Sequence, residues 1–218
     1  MSKIDLASYI SSIAASPLAP WAGEPPWSIT TRAAAIVLDL IGHLDLTAFR
    51  LADRVAIHRT AIVESGAILK GPAVIGARCF VAAGAYLRDG TWLDQDCIVG
   101  PGTELKSSFM SRGSKLAHFN FVGDSLLGCG VNLEAGSIVA NYRNERVEKE
   151  IKVRQGSALL GTGVEKFGAL IGDQVRIGAN AVVAPGSLIP AGFVLGRLAL
   201  FDQEAALNSP QPSSIAST

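Results

Sequence analysis

The chain has 218 residues, and its 19 Lys and Arg balance 19 Asp and Glu, so no global field favours nucleic acid or an anionic membrane. Hydrophobic residues make up 49% of it, which excludes disorder over most of its length and provides for one sizeable core. No apolar run is long enough to span a bilayer; Asp5, Ser11, Ser12 and Pro17 spoil the N-terminus as a secretion signal, and the expected compartment is the cytoplasm.

Residues 1–27 read as a weakly helical start followed by Pro17, Pro20, Trp21, Pro25, Pro26 and Trp27, a stretch that cannot continue a helix. Ser28 or Thr30 is placed to cap a helix through Ala33, Ala34, Ile36, Val37, Leu40 and Ile41, which would cover an end of whatever follows. From residue 57 the pattern changes. Ile57, Val63, Leu69, Ile75, Val81, Leu87, Leu93, Val99 and Leu105 are aliphatic at every sixth position. Four residues after each of the first eight stands a small residue: Ala61, Ala67, Ala73, Cys79, Ala85, Thr91, Cys97 or Thr103. Neither a helix nor a half-buried strand has this period. A triangular solenoid does, with three hexads and eighteen residues per coil and residues eighteen apart stacked. Leu127, Leu133 and Val139, then Ile171, Ile177, Val183, Ile189 and Leu195, continue it in other phases. Cys79 then lies beneath Cys97 in the small inward slot, and the three cysteines, with Cys129, read as reduced core thiols. The expected organisation is an N-terminal helical and irregular capping segment over 1–53, the solenoid over 54–200, and a flexible tail over 201–218 rich in Ser, Pro, Asn and Gln.

Residues that the repeat does not demand are the candidates for chemistry. Lys70, Arg88 and Lys106 are eighteen apart and project from one face in adjacent coils, a column of like charge that calls for an anionic ligand or for carboxylates. His118 lies where the hexad phase is lost, between Gly113 and Asp124, and an imidazole there can accept a proton near neutral pH. Asn141 and Tyr142 open a charged excursion through Lys152 that reads as an external loop framing a groove. His43, His58 and His118 are too far apart for a metal triad, so no metal is expected. Gly161-Thr162-Gly163 is weak as a phosphate loop, because glycine is expected at coil corners.

The hexad run resembles that of the hexapeptide acyltransferases, which implies an all-β fold, a left-handed parallel β-helix. Within Gly113–Tyr142 the elements GSK, His118, Gly123-Asp124, GVN, AGS and Asn141-Tyr142 are similar to the acetyltransferase domain of the bifunctional glucosamine-1-phosphate N-acetyltransferase/N-acetylglucosamine-1-phosphate uridylyltransferase family. Lys166–Asp173 is similar to the archaeal branch. The resemblance spans residues 25–200 and lacks a nucleotide-binding signature, so uridylyl transfer is not expected.

That resemblance implies His118 as general base, Glu104 as the carboxylate that orients it and Asn141 at the reacting acetyl group. It implies Arg88 and Lys106 as sugar-phosphate cations, with Asn132, Tyr142 and Lys149 as further acceptor contacts. Ala135, Asn141, Tyr142, Ala179 and Arg197 are implied to line the coenzyme A groove. Phe121 stands where the bacterial enzymes have tyrosine, removing a hydrogen bond worth about 1 kcal/mol. The implied reaction is direct acetyl transfer to an amino-sugar phosphate such as glucosamine-1-phosphate, with acetyl-CoA as co-substrate, no tightly bound cofactor and a homotrimeric assembly. An O-acyltransferase on a nucleotide sugar and a non-catalytic sugar-phosphate-binding solenoid are the alternatives.

Overall fold

The computed structural model describes residues 4–204. Short parallel strands wind into a β-helix with three faces. The first face is a seven-stranded parallel sheet running from Ile62–Val63 through Phe80–Val81, Ile98–Val99, Lys115–Leu116, Asn132–Leu133 and Arg176–Ile177 to Val194–Leu195. The second climbs from Ile68–Leu69 to Leu200–Phe201, and the third from Val55–His58 to Ser187–Ile189. The long strands Tyr86–Leu93 and Glu104–Met110 turn the corner between these last two faces. Each hexad contributes its aliphatic side chain to one continuous interior column, in which Leu87, Leu93, Val99, Leu105, Leu116, Val122, Leu133 and Val139 are fully buried. Cys79 and Cys97 lie in that column, whereas Cys129 is half-buried at a corner with its sulfur 3.2 Å from the Ser12 hydroxyl, so the core-thiol reading holds for two of the three.

The repeat is not lost after Leu105. Met110 takes the interior slot five residues after Leu105, and Leu127 takes it five after Val122, so one corner of two successive coils is a residue short. Paired residues there, such as Ile98 with Lys115 and Phe109 with Leu126, are seventeen apart rather than eighteen. The shortened corner places Ser107 and Asp124 in the left-handed region, each at φ 46°.

The N-terminal segment departs from expectation in two ways. Ser28 and Thr30 do not cap the long helix; they lie inside a preceding one, α1 (Pro26–Thr31), opened by Pro26 in the first turn, where a missing N–H costs nothing. Helix α2 (Ala33–Gly42) follows directly, and it covers a side of the solenoid instead of an end. The outward residues of the third face, Ala56, Val74, Trp92, Phe109, Leu126, Leu170 and Leu188, form an apolar column buried against Leu6, Ile10, Ile29, Ile36 and Val37. At the first coil the sheet edge is covered by an antiparallel strand, β1 (Phe49–Ala52), turning back on β2 (Val55–His58).

Between Val139 and Ala169 the chain leaves the coil, forms the antiparallel hairpin Lys152–Gln155 with Ala158–Gly161, and buries Ile151 and Val153 in the same outer cluster. Phe201 belongs to the last strand and Asp202–Glu204 continue in defined contacts; the rest of the expected tail, 205–218, lies outside the described residues. No helix among the described residues is long and apolar enough to cross a membrane.

Candidate active site

The shortened corner and the returning insertion make a cavity of about 480 Å³, lined by Arg88, Lys106, Phe121, Asn141, Tyr142, Glu165 and Lys166. A second hollow of about 420 Å³ shares Lys106, Glu165 and Lys166 and reaches Asp124, Ser107 and Thr31 of α1. The cation column is real: Arg88 pairs in register with Lys106, and the Lys70 N–H donates to Leu87 beside Arg88. Carboxylates screen it. Arg88 meets Glu104 at 2.7 Å and Asp89 at 2.6 Å. Lys106 Nζ lies 3.0 and 3.1 Å from the two oxygens of Asp124. The Lys70 ammonium and the Arg88 guanidinium both lie over the Tyr86 ring, 5.2 and 5.8 Å from its centre.

Asp124 is the residue that spacing did not single out. It is buried, and besides Lys106 it accepts a hydrogen bond from Asn141 Nδ2. An ionised carboxylate only accepts, so this bond fixes which way the Asn141 amide points. The carbonyl oxygen and one amide hydrogen remain for a ligand. Gly123 makes the contact possible, since a Cβ there would stand 2.6 Å from Asn141 Nδ2. The chain re-enters the coil through the Phe167 N–H, donated to the Asn141 carbonyl, and the Gly168 N–H, donated to that of Asp124. Lys166, just before it, brings to the rim a cation with no hydrogen bond or ion pair to any described residue.

Other expected residues fall elsewhere. Lys149 does not face the cavity's ligand space as a cation: its Nζ donates to the carbonyls of Arg143 and Asn144 and sits 5.1 Å from the Tyr142 ring centre. Asn132 and Arg197 line a separate groove on the first face with Glu134, Arg176 and Val194. Arg197 and the Ala179 N–H both bind the Glu134 carboxylate, which they hold below its ordinary range, Arg197 first. Ala135 is half-buried at the corner beyond Glu134. His118 is exposed on that same corner, one coil below, where its carbonyl accepts from the Gly136 N–H. Its ring meets Phe119 edge-on at 6.0 Å, and Glu104 pairs with Arg88 instead of His118. Within one chain, therefore, Arg88, Lys106, Asn141 and Tyr142 are gathered into a cavity, while His118 and the Arg197 groove stand apart from it. Among the described residues no cluster of three or more His, Cys, Asp or Glu side chains is arranged to hold a metal.

No family model matches the sequence. It is 37% identical over 142 residues to a bifunctional sugar-1-phosphate nucleotidylyltransferase/acetyltransferase of Sulfurisphaera tokodaii, covering 65% of this chain and 35% of that protein. It is 34% identical over 127 residues to the bifunctional protein GlmU of Methanococcus vannielii, covering 57% and 30%. Among solved structures, a hexapeptide transferase family protein from Anaplasma phagocytophilum aligns over 70% of this chain and 82% of its own, with 18% identity and a TM-score of 0.39. The chain thus spans about a third of the length of the curated relatives it matches. With its six-residue repeat and parallel β-helix, the chain is a homologue of part of the bifunctional sugar-1-phosphate nucleotidylyltransferase/acetyltransferases.

Proposed function

We propose that the chain is an acyltransferase that moves the acetyl group of acetyl-CoA to the amine of an amino-sugar phosphate, with glucosamine-1-phosphate the first acceptor to test. The observation that carries this reading is the cavity at the shortened corner, where Arg88, Lys106 and Lys166 meet Asn141 and Tyr142 in a chain homologous to acetyltransferases. Arg88 and Lys106 already have carboxylate partners, so the unpaired Lys166 is the first cation available to an acceptor phosphate. Phe121 offers the sugar an apolar wall and no hydroxyl.

In this reading the amine attacks the thioester carbonyl while His118 takes its proton; the new C–N bond forms, the C–S bond breaks, and the thiolate leaves to be protonated. The Asn141 carbonyl orients the amine by accepting one of its hydrogens, because its amide nitrogen already binds Asp124. That position suits it less to the developing oxyanion, for which backbone N–H groups are the better donors. Acetyl-CoA is a co-substrate, lying along the groove with Arg197, Ala179 and Ala135. His118 is exposed and its expected carboxylate pairs with Arg88, which supports a site completed by a neighbouring copy, and a homotrimer is the assembly proposed.

The test is thiol release from acetyl-CoA with glucosamine-1-phosphate in wild type and His118→Ala, at matched folding by circular dichroism. Turnover in the wild type with a loss of about 10²-fold or more in the variant is the expected result. Turnover that survives His118→Ala removes the base assignment. Activity confined to a nucleotide sugar with another acyl donor replaces the acceptor class, and inertness with every pair tried leaves a binding solenoid.

A further inference from the structure

Asp202, Gln203 and Glu204, just past the last strand, reach back to the loop that carries Asn141 and Tyr142. Arg143 is the buried residue of that loop, only 4% exposed. Its guanidinium gives Asp202 two parallel bonds, Nη1 to Oδ2 and Nη2 to Oδ1, each 2.8 Å. Nη2 also donates to the Pro185 carbonyl at 3.2 Å and lies 3.5 Å from Glu204. Arg146 pairs with Glu204, and the Gln203 amide exchanges two bonds with the Leu188 backbone, at 2.8 and 2.9 Å, which fastens this segment to the last coil. On the inner side Lys149 ties the Arg143 and Asn144 carbonyls to the face of Tyr142.

From these contacts we infer that the Arg143–Asp202 pair is a clamp that positions Asn141 and Tyr142 at the cavity, acting through the loop and touching no reacting atom. Besides the Arg146 and Lys149 contacts and the bonds of Asn141, the middle of the loop packs against nothing, since Asn144, Glu145, Val147 and Glu148 are all exposed. Asp202 is the carboxylate that holds this buried guanidinium by two short parallel bonds, while Glu145 at 3.4 Å and Glu204 at 3.5 Å are longer contacts, so losing Asp202 loosens Arg143 and the adjacent Tyr142 with it. Lysine supplies the charge without the planar fork and does not restore the geometry. The catalytic consequence rests on the acyl transfer proposed above, whereas the order of the loop does not.

The experiment compares the wild type, Asp202→Asn, Arg143→Lys and the double variant in the full chain, by amide hydrogen exchange and by thiol release with acetyl-CoA and glucosamine-1-phosphate. Exchange over residues 141–150 is expected to quicken about tenfold or more while interior strands at Leu116 and Leu133 keep their protection. kcat/KM for the acceptor falls about tenfold with its KM raised, and the double variant falls no further than either single one, because both break one bond. A merely structural pair would lower the melting temperature and the active fraction and leave both KM values alone. Unchanged exchange at 141–150, unchanged KM or additive losses each overturn the clamp. If the wild type releases no thiol with any donor and acceptor, the acyl-transfer reading fails, and the exchange data still decide whether the clamp exists. If Arg143→Lys does not fold, Asp202→Asn, just past the last strand, carries the test.

Discussion

A buried carboxylate between a lysine and an asparagine determines what each of its neighbours can offer a ligand. Asp124 neutralises Lys106 and fixes the Asn141 amide, and removing one partner of such a pair leaves the other charge buried and uncompensated. Asp124→Asn is therefore expected to cost about 3 kcal/mol of stability, read as a lower urea midpoint at constant slope. It is also expected to lower acceptor kcat/KM by more than tenfold, since a carboxamide that donates as well as accepts lets Asn141 turn over. Unchanged stability would mean that Lys106 finds water instead. Arg88 and Lys106 were legible in the sequence because eighteen-residue spacing stacks side chains, whereas the shortened corner sets Gly123 opposite Lys106 and leaves Asp124 one residue past that column. The placing of His118 against Glu104 came from resemblance alone, and in this chain Glu104 is taken by Arg88.

The N-terminal segment depends on a close approach that only glycine permits. Gly90, at φ +93° in the turn between two faces, lies so near α2 that a Cβ would stand 2.4 Å from the Ala34 nitrogen and 2.5 Å from the Ala33 carbonyl carbon. Gly90→Ala meets both a disfavoured dihedral and a backbone that cannot yield, so it should destabilise by more than about 1 kcal/mol. The red shift of tryptophan fluorescence as Trp92 loses its cover is the measurement that separates detachment of α2 from a general loss of folding. The interior aliphatic of each hexad was readable directly, because a six-residue period suits nothing else. The outer apolar column was readable too, in Ala56, Val74 and Trp92 at eighteen-residue intervals, and a face so lined must be covered by something. What the periodicity concealed was the shortened corner: each dropped residue shifts every later interior position, and together with the excursion between Val139 and Ala169 this makes one continuous stack look like three separate runs. The charged excursion likewise showed as a loop but not as a hairpin, since Ile151 and Val153 have cover only after the coil has formed.

One side of the triangular solenoid is covered by its own chain and two are not, and this asymmetry reaches the proposed chemistry. Ile62 and Val194 stand out from the first face, Ile68, Ile138 and Leu200 from the second, and Phe119 and Leu198 from the corner between them, at 70% and 80% exposure. His118 lies on that corner beside Phe119, so the base proposed for the reaction shares one edge with two strongly exposed apolar side chains. Burying such an edge against other copies removes apolar area from water at roughly 25 cal/mol per Å² and brings a second chain's cavity within reach of the imidazole. The period of six reports how a coil closes on itself and is silent on what its outer edges meet, so assembly is the scale at which the sequence was least informative. Light scattering is expected to give three times the 22.7 kDa chain mass. Leu198→Glu, which places a carboxylate on the exposed edge without entering the core, should lower that mass to one chain and abolish thiol release while leaving the β-sheet circular dichroism intact. A wild type that runs as a single chain with full activity would place His118 and its acceptor within one solenoid.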